Sequence, residues 1–339
     1  MWSGWAGGPC EAAVGPGGRL GPGARVRSGW GGGPVGSGGP VGGGGSGGRW
    51  WGSGGGCPEG WDGGWGFVRV GGKCSTGFGV GLVVQRTVLT SGGVRLAVRV
   101  AGPVGGPAVV LVHGWAQSGA VWGALEGFRT YAVDLRGHGL SEVPGGGYRD
   151  SAVWAEDLAA VLAFVGRPAT VVGWSYGGLV VADYLRVYGT GSVVSLVFVG
   201  AITEIGRGRG GGVIGAVMRE ALPAALDDDA AMALFCARMA PSLPSEVVRE
   251  LTAAALGVPP RVRAEMFARD VGSAAVLGAV DVPALVVHGV DDQVVDVAAA
   301  RYNAAAIPGA ELVLFPDTGH LPFLERPVEF AAALAGVAR

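Results

Sequence analysis

The stretch "TVVGWSYGGLVVADYL", residues 170–185, decides the fold. An apolar run leads into the frame Gly173-x-Ser175-x-Gly177, and apolar residues at helical spacing follow. A strand that turns sharply into a helix needs small residues on both sides of the turn, because the two backbones come close together there. The pattern predicts a strand–turn–helix unit with the Ser175 hydroxyl exposed at the turn, next to the N–H groups of the helix N-terminus.

The same frame also occurs at Gly44, Ser46 and Gly48, in a chain with 68 glycines among 339 residues. Neither a strand pattern nor a helix pattern flanks Ser46, so nothing would hold its hydroxyl in place. We interpret Ser46 as a chance match. For Ser175, two interpretations stay open at this point: a nucleophile, or a serine that only caps the helix.

The composition divides the chain at about residue 82. Residues 1–81 hold 34 of the 68 glycines and seven of the eleven tryptophans, without a sustained period of 2 or 3.6. Such a segment cannot bury enough apolar area to offset its backbone entropy. We expect a disordered Gly/Trp-rich segment, or the translation of a start site assigned too far upstream. A glycine-rich RNA-binding arm is the weaker alternative, because basic residues are few.

Apolar strand patterns alternate with helical patterns over residues 82–339, and this alternation predicts an α/β fold with a mostly parallel sheet and helices on both faces. A hairpin at 82–102 comes first, and a helix over 151–166 is expected to begin at Ser151 as N-cap and to stop at Gly166. Short helical patterns at 205–280 interrupt the alternation. We interpret them as an insertion that caps the carboxyl edge of the sheet, where active sites of such folds lie.

Several kinds of chemistry are excluded for residues 82–339. They contain one cysteine, Cys236, and the only lysine of the chain, Lys73, lies outside them. We therefore expect no disulfide, no cysteine-based metal site, no Schiff-base lysine and no P-loop lysine. The net charge of −2 argues against nucleic acid as a main partner. No membrane span or signal sequence is predicted, and we expect a cytoplasmic protein.

A nucleophilic serine needs a base. The chain has four histidines. His113, His138 and His288 sit where strands end or in tight glycine loops, and we interpret them as structural residues that bond to the backbone. His320 lies in the loop after the last strand, which reaches the same carboxyl edge as Ser175. It is the predicted base.

The acid that orients the base should follow the preceding strand, 283–289. Asp291 and Asp292 are the first carboxylates past that strand, and Asp296 follows them. Glu204, after the strand that precedes the helical insertion, is the remaining alternative. Along the chain, the candidates follow the order Ser…Asp…His, which is one of the chain orders in which these three catalytic residues occur in serine hydrolases.

Five separated motifs resemble those of the α/β-hydrolase fold family, in its serine esterase branch. They are "HGW" (113–115), "DLRGHGLSE" (134–142), "GWSYGG" (173–178), "HGVDD" (288–292) and "TGHLPFLERP" (318–327). The resemblance implies Asp292 rather than Asp291 as the acid, and it implies an oxyanion hole formed by the backbone N–H groups of Trp115 and Tyr176. It implies no cofactor and no metal. Two interpretations stay open for the side chains of Trp115, Trp174 and Tyr176: they line the substrate pocket, or they pack in the core.

Two subfamilies are especially similar. "HGWAQSGAVW" (113–122) resembles the opening loop of cofactor-free haloperoxidases, although these usually carry proline where this chain has Ala116. The pairing of "HGW" with "GWSxGG" resembles the pimeloyl-ACP methyl ester carboxylesterases, whose cap holds an acyl-carrier protein through basic residues. The corresponding insertion here contains eight arginines, for which solvated helix faces are the plainer interpretation: Arg207, Arg209, Arg219, Arg238, Arg249, Arg261, Arg263 and Arg269.

The sequence therefore predicts a serine hydrolase that cleaves small or medium carboxylic esters through an acyl-enzyme, with Ser175, His320 and Asp292 as its catalytic residues. A perhydrolase or haloperoxidase-like enzyme, or a carbon–carbon hydrolase on the same residues, is the alternative. A non-catalytic receptor of the same fold is a further alternative. The expected partner is a small-molecule ester, and the sequence does not predict the oligomeric state.

Overall fold

Among the residues that the structure describes, nine strands share one central sheet. The computed structural model describes residues 25–28, 68–70, 73–75, 83–123, 125–239 and 241–338. The strands of this part are β1 (Arg25–Ser28), β2 (Val68–Val70), β3 (Lys73–Ser75), β4 (Val84–Leu89), β5 (Arg95–Ala101), β6 (Ala108–Val112), β7 (Arg129–Val133), β8 (Ala169–Trp174), β9 (Val193–Val199), β10 (Ala284–Gly289) and β11 (Glu311–Phe315). β2 and β3 form a separate two-stranded sheet.

The strand order in the central sheet is β1-β11-β10-β9-β8-β6-β7-β5-β4. β5 runs antiparallel to both of its neighbours, β4 and β7, and all the other neighbours are parallel. The predicted mostly parallel sheet and the predicted hairpin at 82–102 are confirmed. Every residue of β6, β8 and β10 is buried, so both faces of the sheet centre are covered, as parallel sheets require.

The helices follow the predicted alternation with the strands. They are α1 (Ser151–Val165), α2 (Tyr176–Tyr188), α3 (Ala216–Ala225), α4 (Asp229–Met239), α5 (Ser245–Leu256), α6 (Pro260–Phe267), α7 (Ala274–Gly278), α8 (Val297–Ala306), α9 (Pro322–Glu325) and α10 (Pro327–Val337). Short 3₁₀ turns lie at Gly119–Val121 and Gly210–Gly212.

The ends of α1 correct one prediction and confirm another. Ser151 is not the N-cap, because the carboxylate of Asp150 accepts the Ala152 N–H at 2.9 Å and Ser151 is the first helical residue. The Ser151 hydroxyl is thereby left for another partner. Gly166 ends the helix as predicted, with a left-handed φ of 72° that glycine adopts at little cost.

Five helices, α3 to α7, lie between β9 and β10, within the predicted insertion at 205–280. We call residues 205–280 the helical block. An antiparallel backbone bridge between Ile214 and Val295 joins it to the rest of the fold. Its buried apolar side chains belong to the same core cluster as those of the sheet.

The direction in which successive strands are added to the sheet reverses at β6. The chain runs from β6 to β7 on one side and then crosses to β8 on the other side of β6. In open α/β sheets, the crevice beyond the carboxyl ends of the strands at such a point is where ligands bind. Trp115 follows β6 and Ser175 follows β8, so the topology brings these two residues to one crevice.

The predicted disordered segment or misassigned start at residues 1–81 falls almost entirely outside the described residues. Those of its residues that are described form β1, β2 and β3, and β1 adds to the sheet edge beside β11. Within the described part of the chain, we find no helix that combines the length and the apolar character needed to cross a membrane.

Candidate active site

Ser175 stands at the sharp turn between β8 and α2. Its backbone has φ 53° and ψ −120°, a region that side-chain-bearing residues seldom adopt and that is strained. The turn is fixed by backbone bonds, since the Ser175 N–H donates to Val199 O at 3.0 Å and its carbonyl accepts from Gly178 and Ile202. The Ser175 hydroxyl makes no capping hydrogen bond to α2. The interpretation of Ser175 as a mere helix cap therefore fails.

Glycines make this turn possible. A Cβ on Gly173 would lie 2.8 Å from the carbonyl oxygen of Gly177, and a Cβ on Gly177 would press into the carbonyl oxygen of Val112. On the facing loop, a Cβ on Gly114 would lie 2.9 Å from the Cβ of Ser175. The two loops thus touch at Ser175. Glycine is needed in the Gly-x-Ser-x-Gly frame because a side chain there would clash with the neighbouring backbone, as we expected.

His320 and Asp292 are brought together at the same edge of the sheet. The Nδ1 atom of His320 lies 2.7 Å from Oδ2 of Asp292, and both side chains are buried. The backbone carbonyl of His320 accepts the indole N–H of Trp174 at 2.9 Å. Because a carboxylate only accepts hydrogen bonds, Nδ1 of His320 carries the proton and Nε2 is left as an acceptor.

Asp292 is held as a carboxylate by several donors. Its Oδ1 accepts the backbone N–H groups of Val294 at 2.8 Å and Val295 at 3.0 Å. Burial by itself would raise the pKa of Asp292, but the neighbouring His320 and His288 and the Val295 N–H together outweigh burial and lower the pKa below its usual value. The group is therefore an anion at neutral pH, suited to stabilise a positive charge on the imidazole.

His288 makes a contact that the sequence interpretation missed. Its Nε2 lies 2.9 Å from Val295 O, as expected of a structural histidine, and also 3.3 Å from Oδ2 of Asp292. Because Val295 O and Asp292 Oδ2 are both acceptors, Nε2 of His288 carries the proton and points toward both of them. Burial is the main cause that lowers the pKa of His288, which keeps it neutral. The signal in the sequence was the spacing of four residues within "HGVDD".

The other two histidines match their structural interpretation. Nδ1 of His113 lies 2.8 Å from Gly114 O and its Nε2 accepts the Leu135 N–H at 3.0 Å, while Nδ1 of His138 lies 2.8 Å from Arg136 O. Burial lowers the pKa of His113 to about 4 and that of His138 to about 3, so both are neutral at physiological pH.

The alternative acids lie elsewhere. Asp291 is exposed to solvent. Glu204 is buried, but its two carboxylate oxygens accept the backbone N–H groups of Gly211 and Ser273, at 3.1 and 2.7 Å. Its carboxylate thereby fixes two turns of the helical block. Among the described residues, Asp292 is the carboxylate that pairs with His320.

A narrow cavity of about 30 Å³ opens beside Ser175, enough for about two water molecules. Its walls come from the two loops of the crevice and from the helical block, and apart from Ser175 and His320 they are apolar or aromatic. The lining residues are Gly114, Trp115, Trp174, Ser175, Tyr176, Ile202, Ile214, Met218, Phe235, Met239, Phe267, Val294, Val295 and His320. Trp115, Tyr176 and Trp174 all line this cavity.

The arginines of the helical block are engaged within the chain. Some pair with carboxylates, as Arg238 does with Glu220 at 2.7 Å and Arg209 with Asp270 at 2.8 Å. Others bond to backbone carbonyls, as Arg261 does with Pro144 O at 2.9 Å. The interpretation as solvated helix faces is wrong for Arg263 and Arg269, which are buried.

Comparison with known proteins identifies the family. Residues 109–333 match the Alpha/beta hydrolase family. The chain is 30% identical over 257 residues to the pimeloyl-[acyl-carrier protein] methyl ester esterase of Nitrosomonas europaea, covering 67% of this chain and 94% of that protein. It is 31% identical over 235 residues to the non-heme chloroperoxidase CPO-A1 of Kitasatospora aureofaciens, covering 63% of this chain and 85% of that protein.

Among solved structures, the esterase RhEst1 from Rhodococcus sp. ECU1013 superposes with a TM-score of 0.71 and 41% identity, over 74% of this chain and 97% of that one. The family match spans the elbow at Ser175 and the loops that carry Asp292 and His320. The agreement of sequence motifs, strand order and family match leads to one conclusion: the chain belongs to the alpha/beta hydrolase family.

Proposed function

We propose that this protein is a serine hydrolase that cleaves carboxylic esters through an acyl-enzyme. The observation that carries the proposal is one cavity lined by both Ser175, on a strained elbow, and His320, whose other ring nitrogen is bonded to the buried carboxylate of Asp292 at 2.7 Å. A nucleophile, a base and an orienting acid are the three parts that this reaction needs.

In the first half-reaction, Nε2 of His320 takes the Ser175 proton while Oγ forms a bond to the ester carbonyl carbon. The carbonyl electron pair moves onto oxygen, where the backbone N–H groups of Trp115 and Tyr176 stabilise the oxyanion. Collapse of the intermediate expels the alcohol, which receives the proton from His320. Water then attacks the acyl carbon while His320 takes its proton, and the bond between the acyl carbon and Ser175 Oγ breaks as His320 returns that proton to Oγ and the acid product leaves. Asp292 stabilises the imidazolium in both halves.

The substrate that fits is small and uncharged near the ester. Apart from Ser175 and His320, the residues that line the cavity are apolar or aromatic, and its aromatic and methionine side chains favour an apolar acyl or alcohol group. Four of these aromatic and methionine side chains belong to the helical block: Met218, Phe235, Met239 and Phe267. We propose that the block acts as a cap. Relatives named as esterases support ester hydrolysis over other reactions.

Peracid chemistry is the second candidate, favoured by the similarity to a chloroperoxidase. One observation weighs against it. Ala116 has φ 54° in the turn closed by the Gln117 N–H and Gly114 O, and proline, which the haloperoxidase loops usually carry here, is locked near −65°. The loop backbone therefore differs from one built on proline. A panel of esters assayed with and without peroxide separates the two activities.

The direct test is Ser175→Ala, assayed on p-nitrophenyl esters of increasing chain length, with Ser46→Ala as the matched control. We expect Ser175→Ala to reduce turnover to near background and to abolish labelling by a fluorophosphonate, while Ser46→Ala leaves both unchanged. Undiminished turnover of Ser175→Ala would refute the proposal. Rapid labelling without turnover of any ester would instead indicate a receptor with an intact triad.

A further inference from the structure

The side chains of the two proposed oxyanion residues are both tied to one short segment of the helical block. The indole N–H of Trp115 donates to Arg263 O at 3.0 Å, and the hydroxyl of Tyr176 donates to Met266 O at 2.7 Å. The ring of Phe267 lies between them, edge-on to both, with centroid distances of 5.3 Å to Trp115 and 6.0 Å to Tyr176. The C-terminal half of α6 thus contacts both loops that carry the oxyanion donors.

Arg269, just after α6, anchors this segment to the sheet side of the molecule. Its Nη1 donates to the Tyr176 hydroxyl at 2.9 Å, and its Nη2 contacts Asp183 Oδ2 at 2.6 Å and Ser151 Oγ at 2.8 Å. The side chains of Arg269 and Asp183 are both fully buried. Asp183 lies on α2, the helix that begins at the elbow, so this ion pair links the helical block to the elbow itself.

The Tyr176 hydroxyl has both of its roles fixed by these contacts. It accepts from Arg269 and donates its one proton to Met266 O. Burial raises the pKa of Tyr176 to about 12, so the hydroxyl keeps its proton over the working pH range. A ring held at its far end in this way restrains the backbone of the same residue, whose N–H is a proposed oxyanion donor.

Stability is a poor explanation for so costly an arrangement. Oδ1 of Asp183 and Nε of Arg269 are buried without a hydrogen-bond partner among the described residues. A buried ion pair that is incompletely satisfied tends to stabilise a fold less than apolar side chains of similar size would. The geometry of the pair instead fixes where α6 lies relative to the elbow.

We infer that Arg269 is a positioning residue: through the Tyr176 hydroxyl and the Asp183 carboxylate it couples the docking of α6 to the placement of the two oxyanion donors. The inference rests on the proposed ester hydrolysis. Since α6 contacts Trp115 and Tyr176 together, displacement of α6 would move both donors away from the developing oxyanion. Of the residues that line the cavity, Phe267 alone lies on α6, so most of the apolar walls that bind the substrate would stay in place.

The test compares Arg269→Lys, Tyr176→Phe and their double variant with the wild-type chain. Lysine keeps a positive charge beside Asp183 but lacks the planar fork that reaches two acceptors at once. Phenylalanine removes only the hydroxyl and leaves the ion pair and the backbone N–H in place. Arg209→Lys is the matched control, because Arg209 pairs with the exposed Asp270 in the same region.

We expect kcat for a p-nitrophenyl ester to fall about 10- to 100-fold in Arg269→Lys and Tyr176→Phe, with KM changed by about twofold or less. The affinity for a boronic acid, whose tetrahedral adduct mimics the oxyanion, should fall in parallel with kcat/KM. The double variant should lose little more than the more severe single variant, because both changes break one linkage. Arg209→Lys should match the wild type.

The outcome that would overturn the inference is a lower melting temperature in both variants with unchanged kcat and boronate affinity, which would mark Arg269 as structural only. A rise in KM at constant kcat would overturn it as well. Wild-type turnover and fluorophosphonate labelling are measured first. Their absence would refute the proposed function and the inference together, whereas an active wild type with unaltered variants refutes only the positioning role.

Discussion

Asp292→Asn is the substitution for which the structure makes the sharpest prediction. The two oxygens of Asp292 have different surroundings: Oδ1 accepts two backbone N–H groups, and Oδ2 faces Nδ1 of His320 at 2.7 Å and Nε2 of His288 at 3.3 Å. An asparagine would keep its oxygen toward the backbone donors. Its NH₂ group would then face two ring nitrogens that carry protons in the native protein.

Because two donors cannot bond to each other, His320 would shift its proton from Nδ1 to Nε2. The nitrogen that should take the Ser175 proton would then already be protonated. A wrong tautomer of this kind in a Ser–His–Asp arrangement lowers kcat about 10⁴-fold, which corresponds to about 5.4 kcal/mol of activation free energy. KM should change little, since Asp292 is shielded from the cavity by His320.

The assay is steady-state hydrolysis of a p-nitrophenyl ester, with a urea titration to verify that the variant is folded. Asp291→Asn is the matched control, since Asp291 is the exposed neighbour and should tolerate the same change without loss of rate. A folded Asp292→Asn enzyme that retains more than about a tenth of wild-type kcat would refute the tautomer argument. A loss confined to Asp291→Asn would show that the wrong carboxylate has been assigned.

Three further predictions concern the backbone and the buried histidines. Gly173→Ala should lower the free energy of unfolding by about 1–3 kcal/mol or more, because its Cβ would lie 2.8 Å from Gly177 O. Gly123→Ala should not lower it, because there is open space around Gly123. Urea denaturation distinguishes the two variants, and equal stabilities would contradict the steric argument. Ala116→Pro should lower both melting temperature and kcat, because its φ of 54° is inaccessible to proline; an unchanged enzyme would show that the loop adapts. Burial lowers the pKa of His113 from 6.5 to about 4, so the unfolded chain binds an extra proton between these values. His113 by itself should therefore lower the free energy of unfolding by about 3 kcal/mol as the pH falls from 6.5 to 4, and His138, whose pKa burial lowers to about 3, should lower it further. A flat pH profile in urea titrations would contradict this.

Much of the architecture could be predicted from the sequence because its signals are local. Continuous apolar runs ending in glycine identify buried parallel strands. The frame around Ser175 identifies a tight turn, because its glycines let the backbones of the strand and the helix come close together. The elbow, the hairpin and the pairing of the loops that carry Asp292 and His320 all follow from such signals combined with the rule that parallel strands end at one edge. The catalytic roles of these residues stay a prediction until variants are assayed.

Other features depend on contacts between residues far apart in the chain. No local pattern distinguishes Asp150 from Ser151 as the cap of α1, and the choice becomes clear only when the Ser151 hydroxyl is found beside Arg269, 118 residues away. Likewise, from the sequence alone we gave all the arginines of the helical block the same interpretation. Burial separates Arg269 from the half-buried Arg209, because only packing decides which guanidinium is enclosed.

The sequence by itself determined the fold class, the family and the three candidate catalytic residues, since each of these rests on motifs of a few neighbouring residues. Only the tertiary structure decided that His288 shares the carboxylate of Asp292, that Glu204 is occupied by backbone N–H groups, and that α6 is bonded to both oxyanion residues. The physical reason is that a motif fixes the local backbone and leaves the partner of a side chain open. Partners are chosen by the packing of distant elements, where each buried polar atom has to find a donor or acceptor.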